Sequence, residues 1–591
     1  MKLLRTVRLA ALLSLPVAGH AADILPGDTL IVTATRTEIP LSDATVPVTV
    51  ISRDEIELSL ATDLAELLRF EAGIDIGRNG GPGQATSMFL RGTESNHTLV
   101  LVDGVRINPS TIGGAAIQNI SPDIIERVEI VKGARSALFG TDAIGGVINI
   151  ITRRAEEGYV EGAFGAGSFA SQSGHLAAGD RGAIGEFGIN LNWQSTDGYA
   201  PRVESDIARG YENRSANLYA AREFAASEVS IRHWQSEGNV EYLDFFLSPV
   251  DQDYRNAVTA IGLHSVLPGN NSSKLLVSFM EDEVRQAQVP DYVVSKRLSI
   301  DWQYSHAFRQ HKLTGGLYAV AEDASSLSFG SLFDEDTELR AVFLQDQLTV
   351  GRHKGFAAVR LSDHENFGRH TTWNVEYAFE IDAAWTVNAG LGHAFRAPDA
   401  TDRFGFGGNP KLQPELADEV QLGLRYAPGN AHSINFEIYA NDIDDLIEFD
   451  SQSFTLRNIS KAKIRGAELG YEYRGEHFVL RADVLRQTAD NAVTNTRLLR
   501  RAEKSATLSY TQMIGPHRLG LSVLASGDRE DFGAVRLPGY VLANLIGQLQ
   551  LNDRWQINAR LENLFDTEYQ TAANYRMQKR SGFLELQYRW Q

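Results

Sequence analysis

Over its last three-quarters the chain keeps a strict two-residue rhythm. Val420, Leu422, Leu424 and Tyr426 fall on one side of an extended strand while Gln421, Gly423 and Arg425 fall on the other. Ile434, Phe436, Ile438 and Ala440 alternate with Asn435, Glu437, Tyr439 and Asn441, and Leu584, Leu586, Tyr588 and Trp590 with Glu585, Gln587 and Arg589. Each such stretch is roughly ten residues long and is bounded by turns and polar loops. Outside the extreme N-terminus no apolar run approaches the ~20 residues that a membrane-spanning helix requires, which excludes a polytopic helical membrane protein. A soluble antiparallel sheet with one wet face alternates in the same way. Three features separate the two cases: an export signal, hundreds of residues of this rhythm with no helical layer to cover the sheet, and Tyr or Trp near strand ends. A closed barrel in lipid pairs every backbone polar group within the protein and needs no long apolar run.

The export signal occupies residues 1–21. Lys2, Arg5 and Arg8 precede a short apolar run from Leu9 to Val17, and Gly19-His20-Ala21 supplies the small-residue cleavage pattern. Cleavage after Ala21 removes three basic residues and no acid, so the net charge falls from −19 to about −22. Such an acidic chain, with no clustered Lys and Arg, is not expected to bind nucleic acid. The absence of cysteine removes disulfides, thiolate metal sites and cysteine nucleophiles together. The chain has no Gly-x-Ser-x-Gly elbow, His-Glu-x-x-His pair or phosphate-cradling glycine loop, and no catalysis is expected.

The character changes near residue 155. Before it, Ser52 with Glu55 forms a capping box, Leu64, Leu67 and Leu68 follow Thr62 at helical spacing, and the buried-strand runs 98–102 and 147–151 alternate with glycine turns. Residues 41–155 therefore read as a small α+β domain, preceded by a tether over 22–40. Residues 156–591, at roughly 20 per strand with its share of loop, give about 22 strands. A cylinder that wide has a lumen its own side chains cannot fill. The expected fold is an all-β membrane protein, a ~22-stranded antiparallel barrel plugged by the N-terminal domain.

Several stretches resemble the TonB-dependent outer-membrane receptors. Asp28-Thr29-Leu30-Ile31-Val32-Thr33-Ala34-Thr35 is similar to the family's TonB box, an exposed β-prone segment that can add as a strand to a partner's sheet edge. Phe89-Leu90-Arg91-Gly92, followed by residues 99–108, resembles the first plug signature. Residues 125–133, 136–140 and 143–152 resemble the second. Ala134 stands where relatives commonly have proline, and Gln591 follows the aromatic on which relatives generally finish. Phe395-Arg396-Ala397-Pro398, Leu412-Gln413-Pro414-Glu415 and Glu562-Asn563-Leu564-Phe565-Asp566 add weaker matches in the barrel. The resemblance implies a bacterial outer-membrane location. It also implies TonB and its inner-membrane energising complex as partners, with energy drawn from the proton gradient. Contact with outer-membrane lipid and lipopolysaccharide, and a monomeric state, are expected with it. Arg91, Glu126, Arg127, Glu129 and Arg135 are candidates for polar pairs within the plug or with the lumen.

Within the family, residues 28–36, 91–99 and 140–146 are most similar to the cobalamin (vitamin B12) transporters, which implies a corrinoid as cargo. Such a ligand calls for aromatic and amide contacts at the outer mouth. The candidates are Ser95, Asn96, His97, Ile112 and Gly113 at the plug apex, with Trp234, Tyr242, Phe245 and Phe246 in an early barrel loop, where the aromatics are equally readable as membrane girdle. No cofactor is required. Calcium is conceivable by the same resemblance through Asp206, Glu212, Asp244, Asp251 and Asp253, although these carboxylates are sparser than a hard-cation cage prefers. The alternatives are a ferric-siderophore receptor, which favours cationic residues at the mouth, and a passive porin or adhesin, in which plug and box have no purpose.

Overall fold

The computed structural model describes residues 30–154, 158–450, 453–459 and 461–590. The leader, Asp28, Thr29 and Gln591 lie outside that set. No helix among the described residues is long and apolar enough to cross a membrane. Strands do so instead, as the alternation requires.

The chain from Tyr159–Gly167 to Ser581–Trp590 forms a closed barrel of 22 antiparallel strands, with the two-residue piece Thr496–Arg497 taken together with the strand Lys504–Ile514 that follows it. The first and last strands pair from Val160 opposite Trp590 to Gly167 opposite Phe583, so the sheet has no free edge. Leu422, Leu584 and Leu586 point outward, whereas Asn190, Asn213, Asn217 and Gln421 are buried towards the lumen. Aromatic pairs Trp385–Tyr426 and Trp555–Tyr588, with ring centroids 4.4 and 4.8 Å apart, mark one rim. The strands run from 8 residues in Trp555–Glu562 to 20 in Ser331–Val350. The expected ten residues therefore describe only the lipid crossing, and the longer strands project beyond it. Long loops, including 397–414 and 563–580, all lie at the end opposite the one where the N-terminal domain enters.

Inside sits the plug. Its sheet runs in the order Val48–Ile51, Ile125–Lys132, Gly146–Thr152, Thr98–Val102, Val105–Arg106, with one parallel pair between the third and fourth strands. The capping box forms as read: Ser52 N donates to Glu55 Oε2 at 2.8 Å and Glu55 N to Ser52 Oγ at 3.4 Å, opening the helix Arg53–Ser59. The next helix, Leu64–Leu68, is capped by Asp63, through Glu66 N to Asp63 Oδ1 at 2.8 Å. Leu64, Leu68, Val100, Ile148 and Ile150 form the core, which continues into Trp234, Val258 and Met280 of the barrel wall.

Candidate ligand mouth and coupling segment

Arg91 is the centre of the contact between plug and wall. It is 3% exposed, holds φ at +49°, and donates through Nε to Glu468 Oε1 at 2.9 Å, through Nη1 to Gln421 Oε1 at 3.1 Å, and through Nη2 to Glu437. The guanidinium lies over the Tyr439 ring, 4.4 Å from its centroid. Lys132 pairs with the other oxygen of Glu468, and Arg135, also buried, pairs with Glu376 at 3.0 Å. These carboxylates come from neighbouring wall strands, so one plug side chain ties several strands together. Removing it leaves buried charges unpaired, which costs far more than the pairs add net.

Turns bring the plug close enough for this. Gly133 has φ +90°, and a Cβ there would lie 2.5 Å from a Glu419 oxygen. At the apex a Cβ on Gly83 would strike the Tyr211 ring at 2.1 Å. Beside Gly133, Ala134 N donates to Glu419 Oε2. Proline lacks that hydrogen, so a proline at this position would lose this bond to the wall.

The second polar centre is Glu129, which is fully buried. One of its oxygens takes Arg127, from Nε at 2.9 Å and Nη2 at 2.8 Å. The other accepts from Val32 N and Thr33 N, both at 2.9 Å, and from Thr33 Oγ1 at 2.6 Å. Glu126 sits half-buried where the register with the neighbouring strand shifts. The coupling segment is thus not exposed over its described part. Leu30–Ile31 pairs with Ile39–Pro40; Ile31 and Ala34 pack with Val46 and Val131; and Gln345 Nε2 of the wall donates to Thr35 O at 2.6 Å. Arg36 donates to Leu138 O at 2.7 Å and pairs with Asp301. The sequence offered β propensity here, and the buried carboxylate that captures it comes from a strand almost a hundred residues away.

At the open end the candidates divide. Phe245 and Phe246 are 86% and 83% exposed at the tip of a hairpin, 5.6 Å apart edge to face. Tyr242 is half-buried below them and hydrogen-bonded by Gln286. Ile112 is 53% exposed beside Gly113, whose positive φ lets it pack over Asn96. Ser95 faces back into the plug, where its Oγ accepts from Met88 N at 3.1 Å. His97 does not reach the mouth. It is buried, its Nδ1 accepts from Glu94 N at 3.3 Å, and its Nε2 therefore carries the proton donated to Glu415 Oε2 at 2.9 Å, an oxygen shared with Arg396. Trp234 is neither girdle nor mouth, being 3% exposed within the core shared by plug and wall.

Sequence reading missed the aromatic loop tips across the mouth: Phe329 against Phe406 at 6.0 Å, and Phe449 against Phe454 at 6.2 Å. Their signal was phenylalanine set among glycines, as in Phe404-Gly405-Phe406-Gly407. The carboxylates suggested for calcium do not converge. Asp206 pairs with Arg576, Glu212 with Arg214, and Asp244 caps its own hairpin through Phe246 N and Ser248 N. Asp251 accepts from Gln288 and Asp253 from Asn239. No group of three or more His, Asp or Glu with metal-holding geometry occurs among the described residues.

A closed barrel, an internal plug and an N-terminal segment held on the inner side define a plugged barrel rather than an open pore. The chain belongs to the TonB-dependent receptor family: residues 158–564 match the model "TonB dependent receptor-like, beta-barrel" and residues 40–147 match "TonB-dependent Receptor Plug Domain". Members of this family carry out TonB-dependent transport across the outer membrane and are not enzymes. Among curated proteins the chain is 28% identical to the vitamin B12 transporter BtuB of Photobacterium profundum and 29% identical to BtuB of Vibrio vulnificus, each over the whole of both chains. Similar solved structures include the FrpB iron transporter of Neisseria meningitidis (14% identity, TM-score 0.80, 92% of this chain and 99% of that one). The copper transporter OprC is another (17%, 0.80, 92% and 98%). At such identities these two speak for the fold alone.

Proposed function

We propose that the cargo is cobalamin or another corrinoid. The observation that carries this reading is the end-to-end similarity to two curated vitamin B12 transporters, at 28% and 29% identity with no part of either chain left over. The mouth is compatible with it. Exposed aromatic tips at Phe245, Phe246, Phe329 and Phe406 offer apolar faces to a bulky ring system. Ligand at the mouth shifts the plug, the segment held by Glu129 comes free on the periplasmic side, and TonB engages it as an added strand.

Labelled cyanocobalamin binding to the purified, detergent-solubilised protein tests the cargo. Saturable binding that ferric siderophores do not displace is expected; no saturable binding rules the corrinoid out. Growth of a cobalamin auxotroph expressing the full chain, compared with one lacking Asp28 to Thr33, tests the coupling, since a passive pore would support both equally.

A further inference from the structure

Two cavities flank the first plug helix. One, of about 140 Å³, lies between the plug and the closing seam of the barrel, from Ser168 and Phe169 at the open end down to Arg53, Glu57 and Glu161. The other, of about 260 Å³, lies on the periplasmic side, between Glu55, Leu58 and the wall residues Arg474 and Arg518. Each is smaller than the ~300–1,000 Å³ of a usual small-molecule pocket, so a passage for cargo needs the helix between them to move. They share Ala61 and Arg560 and are otherwise separated by the helix Arg53–Ser59 with its left-handed cap at Leu60. The spacing is helical on both sides. Arg53, Ile56, Glu57 and Leu60 line the outer cavity; Asp54, Glu55, Leu58 and Ser59 line the inner one.

We infer that this helix is a partition between two half-passages, and that cargo crosses along the seam where the first and last barrel strands meet. The inference deepens the transport function and does not depend on which cargo is carried. The contacts holding the helix are of a kind that can let go. Ile56 is its one buried side chain. Its grip on the wall is polar: Arg589 to Glu57, Gln548 Nε2 to Glu57 O at 3.3 Å, Arg560 Nη1 to Leu60 O at 2.7 Å, and the longer pairs Arg518–Asp54 at 3.5 Å and Arg474–Glu55 at 3.9 Å. Water can replace such partners one at a time as the helix leaves, which it cannot do for a packed apolar face. The preceding strand, Val48–Ile51, is an edge strand of the plug sheet with a single neighbour, so the chain leading into the helix is held along one side only.

The absence of cysteine makes the test direct. Purified full-length protein is placed in planar bilayers in potassium chloride. Arg53→Ala combined with Glu57→Ala should raise the frequency of conductance steps about tenfold over the parent. In that background, a bulky thiol reagent on Ser173→Cys in the outer cavity, or on Thr507→Cys in the inner one, should abolish the steps. The same reagent on Thr337→Cys, in the smaller mouth cavity on the opposite strands, should leave them intact. Heat-modifiable migration reports that each barrel is folded. A folded double variant that stays closed, or steps that ignore both blocking adducts, overturns the assignment. Because the probe is a simple salt, failure here is distinct from failure of the corrinoid reading, which cyanocobalamin binding tests separately.

Discussion

The two halves of the plug meet the barrel in opposite ways. Around Arg91, Lys132 and Arg135 the plug is packed close to the wall and charges interlock, with several carboxylates converging on Arg91 and one on each of Lys132 and Arg135. Around the helix Arg53–Ser59 the wall stands off across two cavities, and apart from the buried Arg560, which also holds Glu66 and Glu562, single polar contacts bridge to it. Buried, many-partnered charges are costly to separate because every partner left behind is stranded in a poor solvent. Partners already bordering water lose little. The difference teaches that a pull on the N-terminus, once the segment held by Glu129 is free, meets the helix Arg53–Ser59 before it meets the cations of Arg91, Lys132 and Arg135.

The sharpest way to break this contrast is Arg91→Ala. It should destabilise plug docking by about 3–5 kcal/mol, because Glu437 and Glu468 lose their buried partner. Limited proteolysis of the plug within an intact barrel reads the effect; if Glu57→Ala, which removes the contact with Arg589 of the wall, costs as much, the two halves are not different. Next, Glu129→Ala leaves two backbone donors and one hydroxyl without their acceptor and should weaken the coupling segment's hold by about 1–3 kcal/mol. A spin label at Val32→Cys would then show a mobile fraction without ligand, and a label as immobile as in the parent would refute the latch.

Acid should separate the halves more gently. Burial alone raises the pKa of Glu57, but Arg53 and Arg589 outweigh burial and the facing charge of Glu161, so its carboxyl lies below the usual range. A lowered folded-state value means that these pairs stabilise fully above the unfolded pKa of about 4.3 and are lost as pH falls through the folded one. Wild-type conductance is therefore expected to rise below about pH 4, while the Arg91→Ala protein should leak at neutral pH already. The smallest effect concerns metal. Since the five loop carboxylates are engaged elsewhere, chelation by EDTA should change cyanocobalamin affinity less than about twofold, and a larger loss would point to a site that assembles only with ligand.

Much of the architecture could be read before the structure. Period two over so many residues leaves few solutions in lipid, and the plug strand at residues 98–102 falls where its apolar run ends. The mouth was harder. Trp234 was grouped with loop aromatics, yet Val229 and Ile231 on the same strand face lipid, so parity alone places Trp234 inside. His97 was grouped with apex polars, although it adjoins a strand buried at every position and its carboxylate partner lies 318 residues away. Glu129 was recognised as a polar contact but not as the holder of the coupling segment. Pairing across such separations depends on register and on how the plug is seated, and neither is written in local spacing.

One small residue reaches further than its size suggests. With alanine rather than a ring at 134, the bend after Gly133 keeps a hand free for Glu419. Placing proline at that position would keep the kink and take away the grip, so a single substitution would tell how far this one contact delays the departure of the backbone from the cylinder.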